Sequence, residues 1–92
     1  MPTRKSLPWT GWKNEKPSTR ERTQMLSQCG RPCFLGPRKS FPICTRNTCT
    51  INKKGLWAAY VRARARASKK VVYRRIAQKS RKMLQQRGYK MK

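Results

Sequence analysis

Hydrophobic and polar positions alternate with a helical period only in the C-terminal part of this sequence. Over Lys69–Arg87, Val72, Tyr73, Ile76, Ala77, Ser80, Met83 and Leu84 fall on one arc at about 100° per residue. Arg74, Arg75, Lys79, Arg81 and Lys82 fall on the opposite arc, and Gly88 follows as a natural stop. Just upstream, Leu56, Ala59, Tyr60, Ala63 and Ala67 recur at i, i+3, i+4, i+7 and i+11 and share one face. Trp57, Ala58 and Val61 cover most of the remainder, so the first two turns should be enclosed on several sides. Arg62 and Arg66, four apart, make a narrow basic stripe, while Arg64 points elsewhere. Ser68 is a candidate break between the two periodic segments.

Upstream of Leu56 the period disappears. Pro2, Pro8 and Pro17 disfavour regular structure around Trp9, Gly11 and Trp12. Ser18 and Glu21 then match the S-x-x-E capping box, which predicts a short helix over 19–28 with Met25 and Leu26 as its apolar contact, ended by Gly30. Residues 29–55 are loop-rich, and Phe34, Leu35, Phe41 and Ile43 are spaced as a miniature core requires. Ser40–Thr45 reads as a short strand that Pro42 confines to an edge. Asn52 and Gly55 supply turn chemistry before the helical region. The pattern thus divides the chain into an extended N-terminal arm with a short helix (1–28), a cysteine-stapled knot (29–55) and a basic helical tail (56–92). The expected fold class is mainly α: a small, loop-rich four-cysteine knot followed by one or two basic amphipathic helices, with an extended N-terminal arm.

Charge changes the picture more than any motif. Lysine and arginine number 25 against two acids, Glu15 and Glu21, for a net charge of +23, and 13 of those cations lie in Leu56–Lys92. Internal ion pairs cannot neutralise such an excess, so a free monomer should be poorly ordered over much of its length. An acidic or polyanionic partner is implied. The 92 residues also bury too little to stand without a staple or a partner. Histidine is absent and the two acids sit far from the periodic region, which leaves general acid–base or cysteine-nucleophile chemistry without its usual supporting groups. An enzyme is not expected. The longest apolar run, Leu56–Val61, is too short to span a bilayer. Met1–Trp12 has no stretch resembling a secretory signal, which points to a cytosolic or nuclear start.

Cys29, Cys33, Cys44 and Cys49 are spaced C-x3-C-x10-C-x4-C. A reducing compartment favours a structural zinc held by four thiolates. The gaps are not the commonest ones, so two disulfides in any of three connectivities are the rival reading, with free thiols a third. Each of the first two staples the knot, and neither implies catalysis.

The candidate binding cations are Arg62, Arg66, Lys69, Lys70, Arg74, Arg75, Lys79, Arg81 and Lys82. They suit phosphates bound without sequence readout, or carboxylates of an acidic protein assembly clamped by arginine. An anionic membrane surface is a weaker third option. Trp9 and Trp12 are either anchors that dock into a partner or caps on the chain's own small core.

The words C-x3-C at Cys29 and Cys33, FLGP, KSFPIC, N-T-C at Cys49, INKKG and AAY-x-RAR, with the looser YRRIAQKSRKML, resemble a small cysteine-rich family encoded by nucleocytoplasmic large DNA viruses, especially those infecting algae. The resemblance covers Cys29–Ala67 well and the tail loosely; Met1–Gln28 has no counterpart in it. It implies a virion protein made in the host cytoplasm, either a minor component bridging acidic capsid proteins beneath the icosahedral shell or a basic protein near the genome. Such viruses often carry their own thiol oxidase, which brings the disulfide reading level with zinc. Composition alone would also suit a ribosomal or DNA-condensing protein.

Overall fold

In a computed structural model, which describes residues 8–89, two of the four helices begin where a side chain can satisfy their first free N–H groups. The elements run α1 (Trp12–Glu15), α2 (Thr19–Cys29), a 3₁₀ turn (Arg31–Cys33), α3 (Lys53–Ala65) and α4 (Val71–Gln86). The described residues are mainly helical and form no strand. The capping box at α2 is reciprocal: Ser18 Oγ accepts from the Glu21 N–H at 3.3 Å, and Glu21 Oε1 accepts from the Ser18 N–H at 2.8 Å. At α3 the Asn52 side-chain oxygen accepts from the Lys54 N–H at 2.8 Å.

That second cap moves a boundary. Asn52 and Gly55 read as turn residues, yet Asn52 caps α3 and Gly55 lies buried in its first turn. Glycine is needed there for close approach: a Cβ at Gly55 would lie 2.7 Å from the Trp12 ring and 3.1 Å from the Ile43 backbone. The helical tail therefore starts at Lys53, three residues before the apolar period becomes visible.

α3 ends at Ala65, and residues 66–70, including Ser68, turn the chain into α4. The two helices run back along each other, since Leu56 near the start of α3 meets Leu84 near the end of α4. α4 stops as its glycine requires. Gly88 adopts φ +91°, its N–H donates to the Gln85 carbonyl at 3.0 Å, and the Tyr89 N–H donates to the Leu84 carbonyl at 3.2 Å. These two bonds make a Schellman motif, and Tyr89 packs edge-on against Trp57 at 5.4 Å between ring centroids.

Two small cores result. The hairpin core joins Ile43, Leu56, Ala59, Tyr60 and Leu84. The knot core joins Met25, Cys33, Phe34 and Cys44. Ile43 and Cys44 are chain neighbours, both fully buried, yet each belongs to a different core. Ile51 packs against both cores. The segment expected as an edge strand, Ser40–Thr45, makes only isolated bridges, Phe34 to Pro42 and Cys44 to Ile51. Pro42 has no N–H to donate, and Phe41 takes φ +53°, which ends any ladder there.

The described part of segment 1–28 contains α1 and nearly all of α2, and α1 packs on α3. The rest of the expected arm, residues 1–7, lies outside the described residues.

Candidate functional site: a stapled scaffold carrying two basic grooves

The four sulfurs are paired concentrically: Cys33–Cys44 lies inside Cys29–Cys49. The inner pair is buried and the outer pair borders solvent. The pairing is the disulfide reading among the alternatives that the spacing left open. A sulfur bonded to sulfur is not the thiolate that zinc takes, and among the described residues no three metal-ligating side chains converge.

Both carboxylates work inside the molecule. Glu21 Oε2, at the start of α2, accepts from Arg46 Nε and Nη2 at 3.0 and 2.9 Å and from Asn47 Nδ2 at 2.8 Å. The hydrogen bond from the Ser18 N–H, then those from Arg46, Ser18 and Asn47, lower its pKa to about 2 against the cost of desolvation. Glu15 accepts from Lys54 Nζ and from Asn52 Nδ2, and these two bonds lower its pKa as well. The Arg46 N–H donates to the Glu15 carbonyl at 2.9 Å. The two acids thus fasten α1 and α2 to the knot and to the start of α3. Of the 21 lysines and arginines among the described residues, only Arg46 and Lys54 have a carboxylate partner.

Eight of the remaining cations line two open grooves. One, of about 410 Å³, lies between α1 and the outer side of α3. Arg62 and Arg66 line it together with Trp9, Trp12 and Phe41. Lys16 and Arg22 complete its rim, and neither was singled out in the sequence. Arg22 is held there by donating to the Pro17 and Lys39 carbonyls at 3.3 and 3.4 Å. Partial burial, then the neighbouring Arg62 charge, push its pKa down. Trp12 is only 8% exposed beneath Gly55, so it serves this chain's own core, while Trp9 keeps more of its surface.

The second groove, of about 860 Å³, lies between the 31–38 segment and α4. Arg75 and Lys79, one turn apart on α4, face it, and Arg31 and Arg38 come from the knot side. The sequence showed the first two and missed the last two, because nothing local in a loop says which helix it will oppose.

The other expected cations are dispersed. Lys69 and Lys70 are exposed in the turn between α3 and α4, and Arg74 and Lys82 are exposed on α4. Arg81 is half-buried, with its Nε enclosed and without a hydrogen-bond partner among the described residues. Arg64, on the other side of α3 from the Arg62–Arg66 stripe, donates to the Tyr60 hydroxyl at 3.5 Å and sits over that ring. The nine cations therefore form no single face.

No protein-family model, curated protein or solved structure matches the chain. No helix among the described residues is long and apolar enough to cross a membrane.

Proposed function

We propose that this chain is a structural protein of a large icosahedral DNA virus particle, a minor component that cements acidic capsid proteins beneath the shell. One observation carries the electrostatic part of that reading: both acids are used within the scaffold, while the cations around the two grooves have no carboxylate partner among the described residues. Such a surface is stabilised when a neighbour brings negative charge to it. Two disulfides suit the role, because a cross-linked knot can present those cations on a core too small to do so unaided. The virion assignment itself rests on the resemblance at Cys29–Ala67. Assembly in a host cytoplasm would call for a dedicated thiol oxidase, as the family implies.

A second reading, nucleic-acid binding, draws on the other groove. Arg22, Arg62 and Arg66 stand beside a partly exposed indole, Trp9, a combination that suits phosphates with a stacked base. Gentle disruption of purified particles separates the two. Retention of the chain in genome-free shells is the expected result. Release with the genome, by contacts that weaken steeply as salt rises, would replace the capsid role with the nucleic-acid one.

A further inference from the structure

We propose that the larger groove, between the 31–38 segment and α4, binds an acidic amphipathic segment of a partner protein. This rests on the acidic-partner reading above and names where on the chain such a partner would sit. Leu35, Ile51, Val72 and Met83 offer partly exposed apolar surface in the groove wall, and the nearly buried Phe34 and Ile76 complete it. Arg31 and Arg38 border it on one side, and Arg75 and Lys79 on the other. None of these four cations has a carboxylate or a side-chain hydrogen bond among the described residues, and all four are exposed. The occupant must therefore be apolar where it meets the wall and anionic where it meets the rim.

Charge excludes the nearest alternatives. A second copy brings another +23. The chain's own segments outside the described residues, MPTRKSL and KMK, contain four cations and no acid. Nucleic acid would supply negative charge but gains little from an aliphatic wall, and the one aromatic ring in that wall, Phe34, is only 5% exposed. A single lipid headgroup would engage one cation cluster. Here the cations stand on both sides, and Arg75 and Lys79 repeat after one helical turn, about 6 Å along the axis. That repeat suits acidic side chains along a peptide.

The test uses the full oxidised chain. The main probe is a labelled 18-residue peptide, designed with leucines on one helical face and glutamates on the other. A scrambled peptide of identical composition, duplex DNA and vesicles containing phosphatidylserine serve as comparisons. R75E/K79E should weaken binding of the amphipathic peptide about tenfold or more, while K13E/R20E, an equal charge change on exposed positions away from the groove, should change it less than about twofold. Val72→Ser should weaken the amphipathic peptide but not the scrambled one. Circular dichroism and a thiol count verify that each variant keeps its helices and both disulfides.

Equal losses in the two charge-reversal variants, or equal affinity for the two peptides, would overturn the groove and leave diffuse attraction to an acidic partner standing. Vesicle binding that depends on Arg75 and Lys79 without peptide binding would overturn it in favour of a lipid surface. Tighter binding of DNA through the same two residues would overturn it in favour of nucleic acid. Failure to bind any of the four probes would remove the acidic-partner reading along with the groove.

Discussion

The knot and the helical hairpin are stabilised by different physics, although Ile43 and Cys44 place them one residue apart. In the hairpin, local preference and tertiary packing agree. Leucine, alanine and tyrosine recur at helical spacing, a cap opens α3, a glycine closes α4, and every buried residue but Gly55 lies on the arc its spacing assigns. In the knot they disagree. Arg38, Phe41 and Asn47 adopt φ values of 61°, 53° and 59°, a left-handed region that L-residues other than asparagine avoid at a cost of about 1–2 kcal/mol each. No such residue occurs among the described part of the hairpin. The knot holds these conformations because two cross-links and the Glu21–Arg46 contact constrain the chain around them. Order in one region follows from periodicity, and in the other from covalent and ionic closure.

The strongest way to break this contrast is to remove the inner cross-link. C33S/C44S deletes the buried disulfide and leaves two hydroxyls in the knot core, and should cost about 4–5 kcal/mol. Hydrogen exchange should show residues 30–51 losing protection while α3 and α4 keep part of theirs. A variant as stable as the parent would show that packing alone holds the knot. Intact-mass measurement of the parent should find the chain four hydrogens lighter than its reduced form.

Leu84→Ala probes the other side. This fully buried side chain should cost about 3 kcal/mol, and the loss should appear first in α3 and α4 while the cross-linked knot keeps its protection. Uniform loss across the chain by hydrogen exchange would mean the two cores unfold as one.

Gly55→Ala tests the seam between the regions. Its Cβ meets the Trp12 ring and the Ile43 backbone, so overpacking should destabilise by about 1–3 kcal/mol in urea unfolding, although alanine is the better helix former. A gain in stability would show that Trp12 moves aside freely.

The smallest effect concerns the capping box. Ser18→Ala should cost about 1 kcal/mol. The pH dependence sharpens it: the folded pKa of Glu21, about 2, lies below the ordinary 4.5. Its contribution is complete above pH 4.5 and is lost as pH falls towards 2. Glu21→Gln should therefore remove that part of the acid sensitivity, and a variant that loses stability between pH 5 and 2 as steeply as the parent would argue against the contact.

Much of the helical structure was legible beforehand. The arc of α4, the stop at Gly88 and the capping box of α2 each depend on residues within about one turn, and the structure keeps them all. Asn52 and Gly55 misled because both types favour turns and helix ends alike, and only packing against Trp12 separates the uses. The candidate cations were legible as a set but not as grooves. Arg31 and Arg38 join Arg75 and Lys79 only because the knot folds against α4, and Arg22 shares a groove with Arg62 only because the fold brings α2 and α3 to the same opening.

By itself, the sequence determined the helical periods, the caps and a charge that the chain cannot neutralise internally, since these follow from neighbouring residues or from composition. The tertiary structure alone decided which cysteines pair, which tryptophan is buried, and which cations share a groove with apolar walls. Those outcomes require residues far apart in the chain to meet, and their meeting depends on loop closure and on how the two cores pack around Ile43, Cys44 and Ile51.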